Sequence, residues 1–150
     1  MEGWDPALRA HVQRLEATKP VVLCGDLNVA HRDEDIWHVG TKSKKSPAAM
    51  AKFSALTPQE RASFGVLLEG GLVDSFRHFH GDAKGWYTWW STKRATSRPD
   101  GKGLRIDYFL VTKALLTEGG ALSVHDSWML DEVPFRGQSD HAPIALRVSL

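Results

Sequence analysis

The chain alternates short apolar runs with longer polar stretches, and the spacing of each run predicts the element it forms. In "DPALRAHVQRLEA", Leu8, Val12 and Leu15 recur at helical spacing, behind Asp5 as an N-cap and Pro6 at the first helical position. Val21 to Cys24 form an unbroken apolar run closed by Gly25, which predicts a short buried strand with Cys24 packed in the core. Residues 31–52 are polar and rich in lysine and read as a long loop. "TPQERASFGVLLEGG" is a well-marked helix. Thr57 caps it, Pro58 fills the first turn, Glu60 completes a capping box, and Gly70-Gly71 ends it. After the short segment "LVDSFRHFH", the aromatic alternation "GWYTWWS" predicts a strand. The loop "TKRATSRPDGKG" separates it from a second strand, "LRIDYFLVT". In the last strand, "APIALRVSL", Ile144, Leu146, Val148 and Leu150 share one face. The mixture of helices and closely spaced strands points to an α/β sandwich rather than a purely parallel sheet.

A chain of 150 residues, 42% hydrophobic and 25% charged, is large enough for one packed domain and too apolar for a disordered tract. No run approaches the ~18 apolar residues of a membrane helix, and Glu2, Asp5 and Arg9 break any signal-peptide core. One cysteine rules out a disulfide framework within the chain and points to a reducing, intracellular compartment. The net charge of +1 hides an uneven distribution. Lys42, Lys44, Lys45 and Lys52 form one basic stretch; Lys84, Lys93, Arg94, Arg98, Lys102 and Arg105 form another, against Asp100 alone. Acids gather at Asp33 to Asp35 and at Asp126, Asp131 and Glu132. Such segregation suits a basic face for a polyanion and suits solvated loops equally well.

Three polar clusters fall at strand ends: Asp26 with Asn28, Asp107 within "LRIDYF", and Asp140-His141 within "GQSDHAPI". Each has an ordinary structural explanation. Asp and Asn are turn formers, Asp107 can pair with Arg105 on the same strand face, and Ser139-Asp140 can be a turn. Together they fit one chemistry. A histidine held by a carboxylate is fixed in tautomer and can orient or deprotonate water. An Asp and an Asn can hold a nucleophile and a phosphoryl oxygen, while further carboxylates bind Mg²⁺. Asp107 with His141 is the first pairing to expect, on neighbouring strands, with Asp140 free for the metal or Asn28.

At this point the sequence resembles a known family. "GDLNVAH", "TPQER" with "DSFRHF", "YTWW", "GLRIDYFL" and "SDHAPI" look like the exonuclease III type of abasic-site endonuclease, within the endonuclease/exonuclease/phosphatase superfamily. The resemblance implies a Mg²⁺-dependent (or Mn²⁺-dependent) DNA repair hydrolase. It would cut the phosphodiester 5′ to an abasic site in duplex DNA, with 3′-exonuclease or 3′-phosphodiesterase activity besides. It implies Asp26 acting on the water or leaving group, Asn28 contacting the phosphate, Asp107 and His141 paired beside the phosphorus, and Asp140, more weakly His141, near the metal. Trp89, Leu104 and Ile106 would wall the pocket for a flipped-out abasic sugar, whose extrusion costs less than that of a stacked nucleotide. Arg94, Arg98 and Lys102, with Lys93, would meet phosphates without reading bases. The compartment implied is nuclear in a eukaryote and cytoplasmic otherwise.

The family's fold is a four-layered α/β sandwich of two similar halves with mixed, largely antiparallel sheets, and residues 1–150 match only its carboxyl-terminal half. The family's metal-binding glutamate belongs to the other half, and no glutamate here, from Glu2 to Glu132, stands in its context. The expectation is a chain that needs its amino-terminal half, as a separate or cleaved polypeptide, to cover an exposed apolar sheet face and to be active. A second departure is Leu104, where many relatives carry tryptophan. Two other readings stay open: a superfamily phosphatase acting on a soluble ester, and a non-catalytic fragment that binds DNA or a partner.

Overall fold

The computed structural model describes residues 3–38, 51–93, 96–117, 119–131 and 139–150. Helix α1 (Trp4–Glu16) leads into strand β1 (Val22–Asp26), and a 3-10 turn (Asp33–Asp35) precedes α2 (Pro58–Glu69). Then come β2 (Leu72–Asp74), the short helix α3 (Ser75–His80), β3 (Trp89–Trp90), β4 (Gly103–Leu104) and β5 (Asp107–Thr112). A second 3-10 turn (Lys113–Leu116) precedes the hairpin partners β6 (Ser123–Met129) and β7 (Ile144–Ser149). The sheets are β1-β5-β2, β3-β4 and β6-β7, every pairing among the described residues being antiparallel. The chain thus has the expected α/β architecture with largely antiparallel strands. Among the described residues no helix is long and apolar enough to cross a membrane.

Both predicted helices form, for partly different reasons. Helix α2 has the expected cap: Thr57 Oγ1 accepts from Glu60 N at 3.2 Å while Glu60 Oε2 accepts from Thr57 N at 3.0 Å. Helix α1 starts two residues earlier than expected, with Gly3 as N-cap and no side-chain cap. Asp5 therefore does not cap it; its Oδ2 accepts from Ser63 Oγ at 2.6 Å and ties α1 to α2. The two helices cover one face of the sheet, where Val12, Phe64, Leu67, Leu72, Tyr108 and Leu110 pack together. Burial of each large side chain there contributes about 1.5–3 kcal/mol. On the other face Val111, Leu115 and Val124 form a smaller cluster with Phe79 and Leu146.

Four expectations need correction. Cys24 is exposed rather than buried: β1 is an edge strand covered on one face only, so Leu23 packs toward the helices while Val22 and Cys24 point away. The stretch 31–52, expected as one long loop, holds a 3-10 turn at Asp33–Asp35 with Asp35 and Ile36 buried at 0% and 2% exposure, while residues 39–50 lie outside the described residues. "GWYTWWS" yields only the two-residue strand β3, and Trp86 is exposed against Phe76 and His80. "LRIDYFLVT" is split into β4 and β5, because the N–H groups of Ile106 and Asp107 leave the ladder for Thr88. Strand β6, bulged between Val124 and Asp126, gave no signal in the pattern and is made by pairing with β7.

Arg105, at the break between β4 and β5, organises the interior. It is fully buried, and its Nε donates to Asp35 Oδ1 at 2.7 Å while Nη1 and Nη2 donate to Asp74 at 3.1 and 2.5 Å. Arg77 Nη2 donates to the same Asp35 oxygen, and its Nη1 donates to the carbonyls of Gly81 and Ala83 at 2.9 and 2.8 Å. Asp74 also caps α3, accepting from Arg77 N at 3.2 Å. Two guanidinium groups thus balance two carboxylates out of water. Burial opposes the charge on Asp35, but Arg105 and Arg77 outweigh it and hold the carboxyl below its ordinary range. Such a cluster is weak as a source of net stability but costly to break, since one removal strands a buried charge. Asp35→Ala is expected to lower stability by about 3–5 kcal/mol, read as a lower urea midpoint at unchanged slope.

His31 supplies a pH dependence. Its ring packs on Phe64 at 4.8 Å, and burial lowers its pKa, a pull that Asp35 only partly offsets. The unfolded chain therefore binds the proton more readily, so the contribution is intact above about pH 6.5 and is lost as pH falls through the lowered folded pKa. Urea melts at several pH values between about 7 and 5 are expected to show a shallower loss for His31→Gln than for the parent.

Candidate active site

Strand β1 delivers Asp26 to the sheet end directly opposite Asp107, the first residue of β5. The backbone then turns: Leu27 N donates to Ile106 O at 3.0 Å, and Asn28 adopts a positive φ of 52°. Asparagine tolerates this left-handed conformation better than most residues. Asn28 N donates to Asp26 Oδ1 at 2.8 Å, and both side chains are exposed. The turn explanation of "GDLN" is therefore true, and it leaves the second Asp26 oxygen and the Asn28 carboxamide available. Tyr108, whose phenol is pushed up in pKa by burial, braces the loop beyond: its Oη donates to Val29 O at 2.5 Å and accepts from His31 N at 3.3 Å.

His141 Nδ1 lies 2.9 Å from Asp107 Oδ2, the contact of a histidine whose Nδ1–H donates to the carboxylate. The Asp107 side chain is 14% exposed and that of His141 is 31% exposed, so the pair is sheltered yet open to a ligand. One ligand atom each from Asp26, Asp107 and His141 lies within 4.8 Å of the other two, a spacing that suits one metal ion. Arg105 is not the partner of Asp107, because its guanidinium faces Asp35 and Asp74. Asp140 stands outside that group: its Oδ2 accepts from Trp89 Nε1 at 3.1 Å, and it is exposed.

The connection between Asp107 and His141 is not the direct strand neighbourhood expected. Residues 88–90 lie between them. Trp89 bridges to His141 on one side and pairs with Leu104 on the other, while Trp90 N donates to Asp140 O at 3.0 Å. Gly103 makes this approach feasible: a Cβ there would sit 2.6 Å from Tyr87 Cβ, 2.7 Å from Trp90 Nε1 and 2.9 Å from Trp89 O.

Trp89, Leu104 and Ile106 do come together, in one apolar cluster with Ala30, Ile36, Ala55 and Leu56. Trp89 and Leu104 are half-buried, whereas Ile106 is only 4% exposed and backs them. The basic residues divide. Arg94 lies outside the described residues. Arg98 does not stand free toward solvent: its Nε donates to Asp131 Oδ1 at 2.8 Å, its Nη1 donates to Ser139 O at 2.9 Å, and it stacks 4.2 Å over Trp90. Its side chain is 10% exposed, and it fastens Ser139, two residues before His141. Lys102 pairs with Asp100 at 2.5 Å and stays partly exposed. Thr88, Asp35, Asp74 and Tyr108 were not singled out from the sequence, because their partners are distant in the chain.

The endonuclease/exonuclease/phosphatase family model matches residues 2–141. An exodeoxyribonuclease of Bacillus subtilis is 39% identical over 147 residues, covering 98% of this chain and 52% of the relative. A DNA-(apurinic or apyrimidinic site) endonuclease of Dictyostelium discoideum is 38% identical, covering 100% of this chain and 37% of the relative. Among solved structures, an AP endonuclease from Leishmania major superposes with a TM-score of 0.81 at 30% identity, over 96% of this chain and 42% of that one. A 3′ phosphatase from Neisseria bound to a product DNA hairpin gives 0.81 at 28% identity, over 99% of this chain and 53% of that one. The chain spans about half the length, or less, of the curated relatives it matches. With a match that takes in both ends of the site, from Asp26 to His141, the chain belongs to the endonuclease/exonuclease/phosphatase family.

Proposed function

We propose that this chain carries the carboxyl-terminal part of a DNA repair hydrolase that cuts the phosphodiester 5′ to an abasic site in duplex DNA, with 3′-end trimming as a second activity. One observation carries the reading: the Asp107–His141 pair and Asp26 converge beside the Trp89–Leu104–Ile106 cluster. With Nδ1 held by Asp107, the other His141 nitrogen is left to orient a water or meet a phosphoryl oxygen. Asn28, exposed in the turn beside Asp26, holds a second phosphoryl oxygen in this reading. A half-buried apolar wall accepts a bare sugar and resists one still carrying its base.

The family is one of metal-dependent nucleases, and the donor set here fits a hard cation. Asp26 and Asp107 offer carboxylate oxygens to Mg²⁺, or to Mn²⁺ in its place, with His141 at the margin. When bound, the metal neutralises phosphate charge and eases departure of the leaving oxygen. Asp140 serves in this reading by holding the Trp89 indole. The partner required is the amino-terminal half of the same fold, joined or separate. Two observations support it: the chain covers 52% of the Bacillus relative, and Val22 and Cys24 lie exposed on the sheet face away from the helices.

The test uses a labelled duplex with one tetrahydrofuran abasic analogue and Mg²⁺. The chain is assayed alone and fused to the amino-terminal half of the Bacillus subtilis relative. The fusion is expected to cut 5′ to the analogue, and the lone chain to cut far more slowly. Asp107→Ala and His141→Ala in the fusion are expected to lower kcat by about 10²–10⁴-fold. A His141→Ala fusion as active as its parent overturns the assignment. Preference for a soluble phosphate ester over the duplex replaces it with the phosphatase reading.

A further inference from the structure

We propose that Thr88 is the positioning residue that aims Asp107 at His141, an inference that rests on the assignment of that pair above. The two partners lie 34 residues apart, and they are not opposed across a strand ladder. Something else must set their separation. Thr88 has 0% exposure and touches both sides. Its Oγ1 accepts from Ile106 N at 2.9 Å and from Asp107 N at 3.0 Å. Its own N donates to Leu104 O at 2.9 Å, and its O accepts from Ala142 N at 2.7 Å.

The consequences for each partner differ. A hydroxyl oxygen has two lone pairs, and both are used by consecutive amides of the break between β4 and β5. That double acceptance fixes the peptide entering Asp107, and with it the direction of the Asp107 side chain. The carbonyl bond to Ala142 fixes the peptide leaving His141. One residue therefore constrains the backbone on the reacting side of both groups. Without the hydroxyl the buried N–H of Ile106 and the part-buried N–H of Asp107 lose their acceptor. The bonds to Leu104 and Ala142 are main-chain bonds and survive substitution. The loss falls on Asp107 alone, which drifts relative to a His141 that stays anchored.

Thr88→Val removes the oxygen at nearly constant shape, Thr88→Ser keeps it, and Thr88→Cys supplies a weaker acceptor of similar size. Ring-nitrogen NMR shifts of His141, measured in the fusion with the amino-terminal half, report which nitrogen carries the proton without requiring catalysis. The expected result is a parent and Thr88→Ser with Nδ1 protonated. Thr88→Val is expected to show mixed tautomers, with Thr88→Cys between. In the fusion with the amino-terminal half, Thr88→Val is expected to lower kcat by about 10- to 100-fold with KM little changed, and Thr88→Ser to restore it. Should Thr88→Val not fold, the Thr88→Cys spectrum decides. Unchanged His141 ring signals in the folded Val or Cys variant overturn the proposal. Altered ring signals in a fusion that cleaves no DNA leave the positioning role standing and sink the proposed function instead.

Discussion

The structure depends on a buried charge cluster that the chain builds from three distant places. Arg105 is clamped between Asp35 and Asp74, and Arg77 closes the arrangement by sharing Asp35. Burial alone would disfavour every one of these charges, yet each has its opposite within hydrogen-bond distance, and Arg77 Nη1 meets two carbonyls besides. The cluster fixes the entry of β5, the start of α3 and the 3-10 turn Asp33–Asp35 in one place. Arg105 also lies 4.5 Å over Tyr108, whose hydroxyl braces the loop following Asn28. The geometry of the candidate site is therefore inherited from the interior, since Asp107 is two residues beyond Arg105.

Around that centre the site is assembled by short-range devices rather than by regular sheet. β4 and β5 do not join, β3 has only two residues, and the segment holding His141 makes an isolated bridge. Thr88 and Trp89 take the place of the missing ladder, and Gly103 lets them approach. Arg98 fastens Ser139 from the outside, stacked on Trp90. Irregular backbone of this kind allows side chains from strand ends to converge, where continuous strands would have sent Arg105 and Asp107 to the same face.

What could be read in the chain is uneven for identifiable reasons. Helix α2 was legible because its cap, its proline and its terminal glycines are all local signals. Asp26, Asn28, Asp107 and His141 stand out in the sequence as polar residues beside apolar runs, and the structure brings one ligand atom each of Asp26, Asp107 and His141 within 4.8 Å of one another. The partners of Arg98 were not legible because nothing near it in sequence announces Asp131 or Ser139. Asp35 looked like one of three solvated acids. Its neighbours Asp33 and Glu34 pair near the surface with Arg61 and Lys84, and only the fold turns Asp35 inward. Cys24 looked like core because an apolar run does not say how many faces of its strand are covered.

The sequence by itself determined the cap of α2, the order of the main helices and strands, and the polar residue types set at the ends of the apolar runs. These follow from contacts within a few residues, where pattern and energy coincide. Only the tertiary structure decided which carboxylate meets which cation. The register of β1 on β5 sets Asp26 against Asp107, and the bridge through Thr88 and Trp89 brings in His141. The partners involved are tens of residues apart, and their pairing becomes favourable only when packing has removed water from between them.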